Sequence, residues 1–113
     1  MQSILTSIKK LIGIGEADES FDTDIIMAIN TSLAALTQMG VGPPEGYTIQ
    51  NKTETWDKFL GEAKNLEAVK SYIYLKTRLL FDPPTSSALL ESINNVLSEL
   101  EFRISVQADS LPA

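Results

Sequence analysis

Asp82-Pro83-Pro84 interrupts the most apolar part of this chain, YIYLKTRLLFDPPTSSALLESI, and constrains the fold more than any other feature. Before it, Val69, Tyr72, Ile73, Lys76 and Leu80 line one helical face, and Ala68, Tyr72, Leu75 and Leu79 an adjoining one. After it, Leu89, Ile93, Val96, Leu97, Leu100 and Ile104 repeat at the same spacing. Pro83 disfavours helical geometry at Asp82 and donates no backbone hydrogen bond, so the first helix must stop there. Proline is accommodated in a first helical turn, so the next helix can begin at once, with Asp82 or Thr85 as its cap. Two sticky helices with almost no connection between them must pack side by side as a hairpin. The wide apolar sector of residues 65–81 predicts the central helix of a bundle, touching neighbours on two sides.

Upstream, residues 3–12 place Ile4, Leu5, Ile8, Leu11 and Ile12 on one side of a short helix. Lys9 and Lys10 suit its C-terminal end and Gly13 stops it. After the acidic run EADESFDTD, a second helix is expected with Asp22 as N-cap. Ile25, Ile26, Ile29, Leu33 and Leu36 are its stripe and Gly40 its end. Residues 40–53, GVGPPEGYTIQNKT, form a long Gly/Pro-containing loop, and residues 55–60 carry one or two helical turns. A loop of that length in so small a domain is either functional or packed on a neighbour, which makes Pro43, Pro44, Tyr47 and Ile49 candidate contacts. Trp56, Tyr47 and Phe59 read as core or loop anchors, with partner binding as the other reading. The expected architecture is all-α: a compact bundle of four helices plus one short helical turn. It forms one domain over residues 1–104, and residues 105–113 are a flexible C-terminal tail.

Chemistry is bounded by what is missing. The 113 residues include no cysteine and no histidine. Disulfides, thiolate metal sites, cysteine nucleophiles and the usual neutral-pH base are therefore all absent. No pair of residues suggests itself as base and nucleophile, so no catalytic, cofactor or metal residue is assigned. A calcium loop counted from Asp18 puts Thr23 at the glycine position and Ile29 at the closing one. Counted from Asp22 it gives Met27 and Leu33, so both registers fail. Gly13-Ile14-Gly15 and Gly40-Val41-Gly42 follow helices, not strands, and read as helix ends instead of phosphate loops. The N-terminus is too short and polar for a membrane span. A net charge of −6 argues against free-standing nucleic-acid binding.

Charge is nonetheless patterned. Lys64, Lys70, Lys76 and Arg78 gather on the helix before the prolines, whereas Glu16, Asp18, Glu19, Asp22 and Asp24 precede the second helix. One reading is a helix with snorkelling cations and a solvated acidic turn. The other is a head-to-tail interface in which Glu16, Asp18, Glu19 and Asp22 of one copy meet Lys64, Lys70 and Arg78 of the next.

The order of four segments resembles a known family. They are SILTSIKKLIGI, FDTDIIMAINTSLAALTQMGVGPPEGYTI, LEAVKSYIYLKTRLLFDPP and LESINNVLSELEFRI. Over residues 3–104 the chain is similar to head–tail connector (head-completion adaptor) proteins of long-tailed bacteriophages. Gln38-Met39-Gly40-Val41-Gly42-Pro43 and Leu79-Leu80-Phe81-Asp82-Pro83-Pro84 are the most recognisable pieces. The resemblance implies a small helical adaptor without enzymatic activity, cofactor or membrane association. Such adaptors form a ring, usually twelve-fold, under the portal protein at the head–tail interface of the virion, after assembly in the bacterial host cytoplasm. The ring extends a channel through which DNA passes without sequence-specific binding, and presents a platform for a stopper or tail-completion protein. By position alone, Val106, Gln107, Asp109 and Leu111 correspond to the segment that reaches the portal. The competing expectation is a small cytoplasmic helical regulator, a homodimer binding a partner protein through residues 72–80.

Overall fold

A computed structural model describes residues 3–61 and 66–110 of the chain. The architecture is all-α, with α1 (Ile4–Leu11), α2 (Asp22–Gln38), α3 (Trp56–Leu60), α4 (Leu66–Phe81) and α5 (Ser87–Ser110). As the apolar pattern requires, α4 is central and packs against α2, α5 and α1. Its Val69, Tyr72 and Ile73 are buried against Ile25, Ile29, Leu33 and Leu36 of α2, Ile4 and Ile8 of α1, Trp56 and Phe59 of α3, and Ile93, Leu97 and Ile104 of α5. Each large side chain buried in this way contributes on the order of 1.5–3 kcal/mol, and together they hold helices that are too short to persist alone.

The helix ends follow from local chemistry. Ser3 caps α1, its hydroxyl oxygen accepting the Thr6 N–H at 3.2 Å. Both glycine pairs close helices. Gly13 (φ 85°) lets the Ile14 N–H reach the Lys9 carbonyl at 2.9 Å, and Gly40 (φ 91°) lets the Val41 N–H reach the Leu36 carbonyl at 2.9 Å. Val41 follows this turn into the core.

Two expectations about the corner and the tail need correction. Residues 82–86 are irregular, so the prolines connect the helices and do not open the second one. The cap is Ser86, whose Oγ accepts the Leu89 N–H at 3.3 Å, and neither Asp82 nor Thr85 takes that role. At the other end α5 does not stop at Ile104 but runs to Ser110, taking residues 105–110 out of the expected tail. The reason is visible in retrospect. Leu100, Ile104 and Ala108 continue the buried stripe at four-residue steps, and Ala108 packs beside Gly40. The Ala108 Cβ lies 3.5 Å from where a Cβ on Gly40 would stand. Leu111 and the two residues after it lie outside the described residues.

Candidate assembly interface

The acidic segment before α2 is organised around a buried cation. Lys9, only 2% exposed, donates from Nζ to the carbonyl oxygens of Glu16 (3.2 Å) and Asp18 (2.7 Å), and lies 2.8 Å from Asp22 Oδ1. A lysine can be buried only when its charge is neutralised and its protons have acceptors, and this turn supplies both. Lys9 is therefore a tether more than a complement to the α1 dipole. Asp22 is the first residue of α2 and pairs with Lys9, and Phe21 occupies the N-cap position without a side-chain bond. Asp18 accepts hydrogen bonds from the Ser20 hydroxyl and N–H, which hold its carboxyl below the usual range. Of the acidic candidates, Asp18 and Asp22 are engaged internally. Glu16, Glu19 and Asp24 have exposed carboxylates without a partner among the described residues.

The loop from Gly40 onward is fixed with equal care. Asn30 grips the backbone of Ile49 from both sides: its Nδ2 donates to the Ile49 carbonyl (3.0 Å) and its Oδ1 accepts the Ile49 N–H (2.8 Å). The Glu54 carboxylate accepts the Gln50 and Asn51 N–H groups, and the Glu54 carbonyl accepts the Ile4 N–H at 3.0 Å. Gly42 (φ 81°) admits the Phe59 ring, which lies 2.4 Å from the place a Cβ would take, and Tyr47 packs on that ring at 5.4 Å. Burial, and then the charges of Glu54 and Asp57, push the Tyr47 phenol up. Trp56 is buried and donates from Nε1 to Ser7 Oγ at 3.0 Å. Trp56 and Phe59 are thus core residues. So is Ile49, at 1% exposure, which corrects its expected role as a contact to a neighbour. Among the loop candidates Pro44 is exposed, while Pro43 and Tyr47 are partly buried.

On α4, the Lys70 ammonium lies 5.4 Å from the centre of the Trp56 ring and the Lys76 ammonium 5.5 Å from that of Tyr72. Arg78 is partly buried, and Lys64 lies outside the described residues. Tyr72 and Ile73 are fully buried, and the Tyr72 hydroxyl donates to Glu101 Oε2 at 2.9 Å. Of residues 72–80, the stretch proposed for a homodimeric regulator, Tyr72, Ile73 and Thr77 are buried and Leu80 is the exposed large apolar residue.

Apolar side chains left outside mark the surfaces that a partner can cover. Phe21, Met27 and Leu80 line a groove of about 560 Å³ at the proline corner, where Phe21 meets Phe81 edge-on at 5.6 Å. Leu11 lines a second groove of about 340 Å³ between α1 and α4, together with Lys10, Lys70 and Tyr74. On α5, Leu89, Val96, Phe102 and Val106 are exposed, Phe102 by 70%. Of the positions expected to reach a portal, Val106 and Gln107 are on the surface of α5, Asp109 belongs to its last turn, and Leu111 lies outside the described residues.

Sequence reasoning missed Phe102, although the signal was present. It stands two positions from Ile104, about 200° around the helix, and so cannot share the buried stripe. It missed the burial of Lys9 too, which falls between Leu5 and Ile12 on the apolar side of α1.

Among the described residues no three acidic side chains converge where a metal could be held, and no described helix is long and apolar enough to cross a membrane. Compared with known proteins, residues 4–110 match the family model described as phage connector protein. No curated protein and no solved structure matches the chain.

Proposed function

The chain belongs to the phage connector protein family, which makes it a structural component of the phage head–tail connector, and from that premise we propose that it is the adaptor subunit of a ring under the portal. Copies of the chain, about twelve by the resemblance of its segments, close into that ring, extend the DNA channel and join the capsid to a stopper or tail-completion protein. The observation that carries this reading is the match of the family model over residues 4–110. The surface is consistent with it: large apolar side chains stand exposed on α1, at the proline corner and along α5.

The chain acts without chemistry, as scaffold. Gln107 and Asp109 in the last turn of α5, together with Leu111, contact the portal. Pro44 and the exposed carboxylates Glu16 and Glu19 face a neighbouring copy or the next protein in the stack, with Lys64, Lys70 and Arg78 as the basic counterpart. A net charge of −6 per subunit keeps the DNA backbone from adhering to the lumen. A lumen lined by Lys64, Lys70 and Arg78 would overturn this last point.

Native mass spectrometry of the purified protein, alone and mixed with its portal, tests the reading. A ring, or a portal complex carrying a ring of copies, is the expected result. A stable dimer indifferent to the portal would refute it.

A further inference from the structure

Resting on that ring reading, we infer that the contact between neighbouring subunits is formed by the Phe102–Val106 ridge of α5 seated in the Leu11–Tyr74 groove of the next copy. The argument begins with direction. Lys70 and Tyr72 are two positions apart on α4, about 200° around its axis. Lys70 faces Trp56, which is bonded to Ser7 of α1, whereas Tyr72 reaches Glu101 of α5. The α1 side and the α5 side of the central helix are therefore opposite flanks of the molecule. The groove opens on the first flank. The ridge stands on the second, turned away from Ile104 and so from the core.

Height comes next. The Tyr72–Glu101 hydrogen bond sets the register of the antiparallel pair α4 and α5. Lys70 lies two residues before Tyr72 and Phe102 one residue after Glu101. At 1.5 Å per residue, groove and ridge are level to within about one helical turn. A heterologous contact between two patches at one level carries little rise from copy to copy, as a closed ring requires.

The two surfaces also match in kind. The groove offers Leu11, 51% exposed, and the Tyr74 ring as its apolar floor, and the lysines Lys10 and Lys70 at its edges. The ridge brings an aromatic anchor and an aliphatic one four residues apart, with Glu99 one turn before them. Glu99 is held only by Arg103, a surface pair on the same helix that is worth a few tenths of a kcal/mol, so it is free to turn to Lys10. Glu67 is the opposing acid in the groove. This assignment gives Val106 to the neighbour and leaves the residues after it for the portal.

Two single substitutions and their mixture test the pairing. Phe102→Asp disables the ridge and Leu11→Asp the groove, and both positions are exposed enough that melting temperatures should stay within about 2 °C of the parent. By native mass spectrometry, with portal present, each variant alone should lose about tenfold or more of the ring population. Mixed one to one, they should form a dimer and nothing larger, because each then keeps one intact surface. If the parent forms rings and both variants do too, the pairing is wrong and the ring reading survives. If both variants are blocked but the mixture stays monomeric, the two surfaces do not meet each other. If the parent never assembles, the ring reading falls and takes this contact with it.

Discussion

The first half of the chain and α5 use their polar side chains differently. From α1 to α3, polar groups serve the backbone: Lys9 ties down the turn before α2, Asn30 pins Ile49, and Glu54 gathers the chain ahead of Trp56. The large apolar residues of the loop, Val41 and Ile49, are inside. In α5, one stripe of Ile93, Leu97 and Ile104 meets the core, while Leu89, Val96, Phe102 and Val106 stand in solvent. Leu11, Phe21 and Met27 are exposed in the first region as well, so the contrast lies in its polar groups, which bond to the backbone of the same chain. The second leaves large apolar side chains uncovered among the described residues, and substitutions should sort along this line.

The largest effect is expected at Lys9. Lys9→Met leaves the Glu16 and Asp18 carbonyls and the Asp22 carboxylate without their donor, and should cost about 3 kcal/mol of folding stability. Urea unfolding followed by the fluorescence of the single tryptophan, Trp56, measures it. A loss below about 0.5 kcal/mol would erase the contrast, since that is the range of ordinary surface positions.

Gly42→Ala comes next. Its Cβ would stand against the Phe59 ring in a left-handed conformation, so a loss of about 2 kcal/mol is expected, read as a lower melting temperature. If the melting temperature does not move, the loop is less tightly joined to the core than its hydrogen bonds indicate.

The smallest effect sharpens the boundary itself. Tyr72→Phe removes the bond to Glu101 at the α4–α5 seam, at a cost of about 1 kcal/mol. Burial first, and then the hydrogen bond to Glu101 and its charge, raise the Tyr72 phenol above its ordinary value. In the unfolded chain it ionises near pH 10, so the folded state holds the proton more tightly. Stability should therefore be unaffected by this group below about pH 10 and fall as pH rises above that value. The fall should be shallower in Tyr72→Phe. Equal slopes in the two proteins would mean that the seam does not restrain Tyr72.

What was legible in the sequence follows the same division. Periodicity located all five helices, because Ile25, Ile29, Leu33 and Leu36 or Val69, Tyr72 and Ile73 repeat at the helical interval and are buried for that reason. The end of α5 was not legible. Past Ile104 the stripe is carried by Ala108, which is too small to register as apolar and which packs beside Gly40, just past the end of α2. The burial of Ile49, and the acceptors that let Lys9 sit on the apolar side of α1, were hidden for a related reason. Each depends on partners 9 to 19 residues away, Asp18 and Asn30, that no local window joins. Of the surface proposed for assembly, Lys70 and, as a portal contact, Val106 were singled out from the sequence, whereas Leu11 was counted as core and Phe102 passed over.

The tether at Lys9 has a consequence for how freely this surface can vary. Two of its three acceptors are carbonyl oxygens, which every amino acid provides in the same place. The side chain of Glu16 can therefore be exchanged without untying the turn, whereas that of Asp18 also holds Ser20. A lineage whose neighbouring protein changes its charge can rewrite this edge one residue at a time and leave the fold beneath it undisturbed.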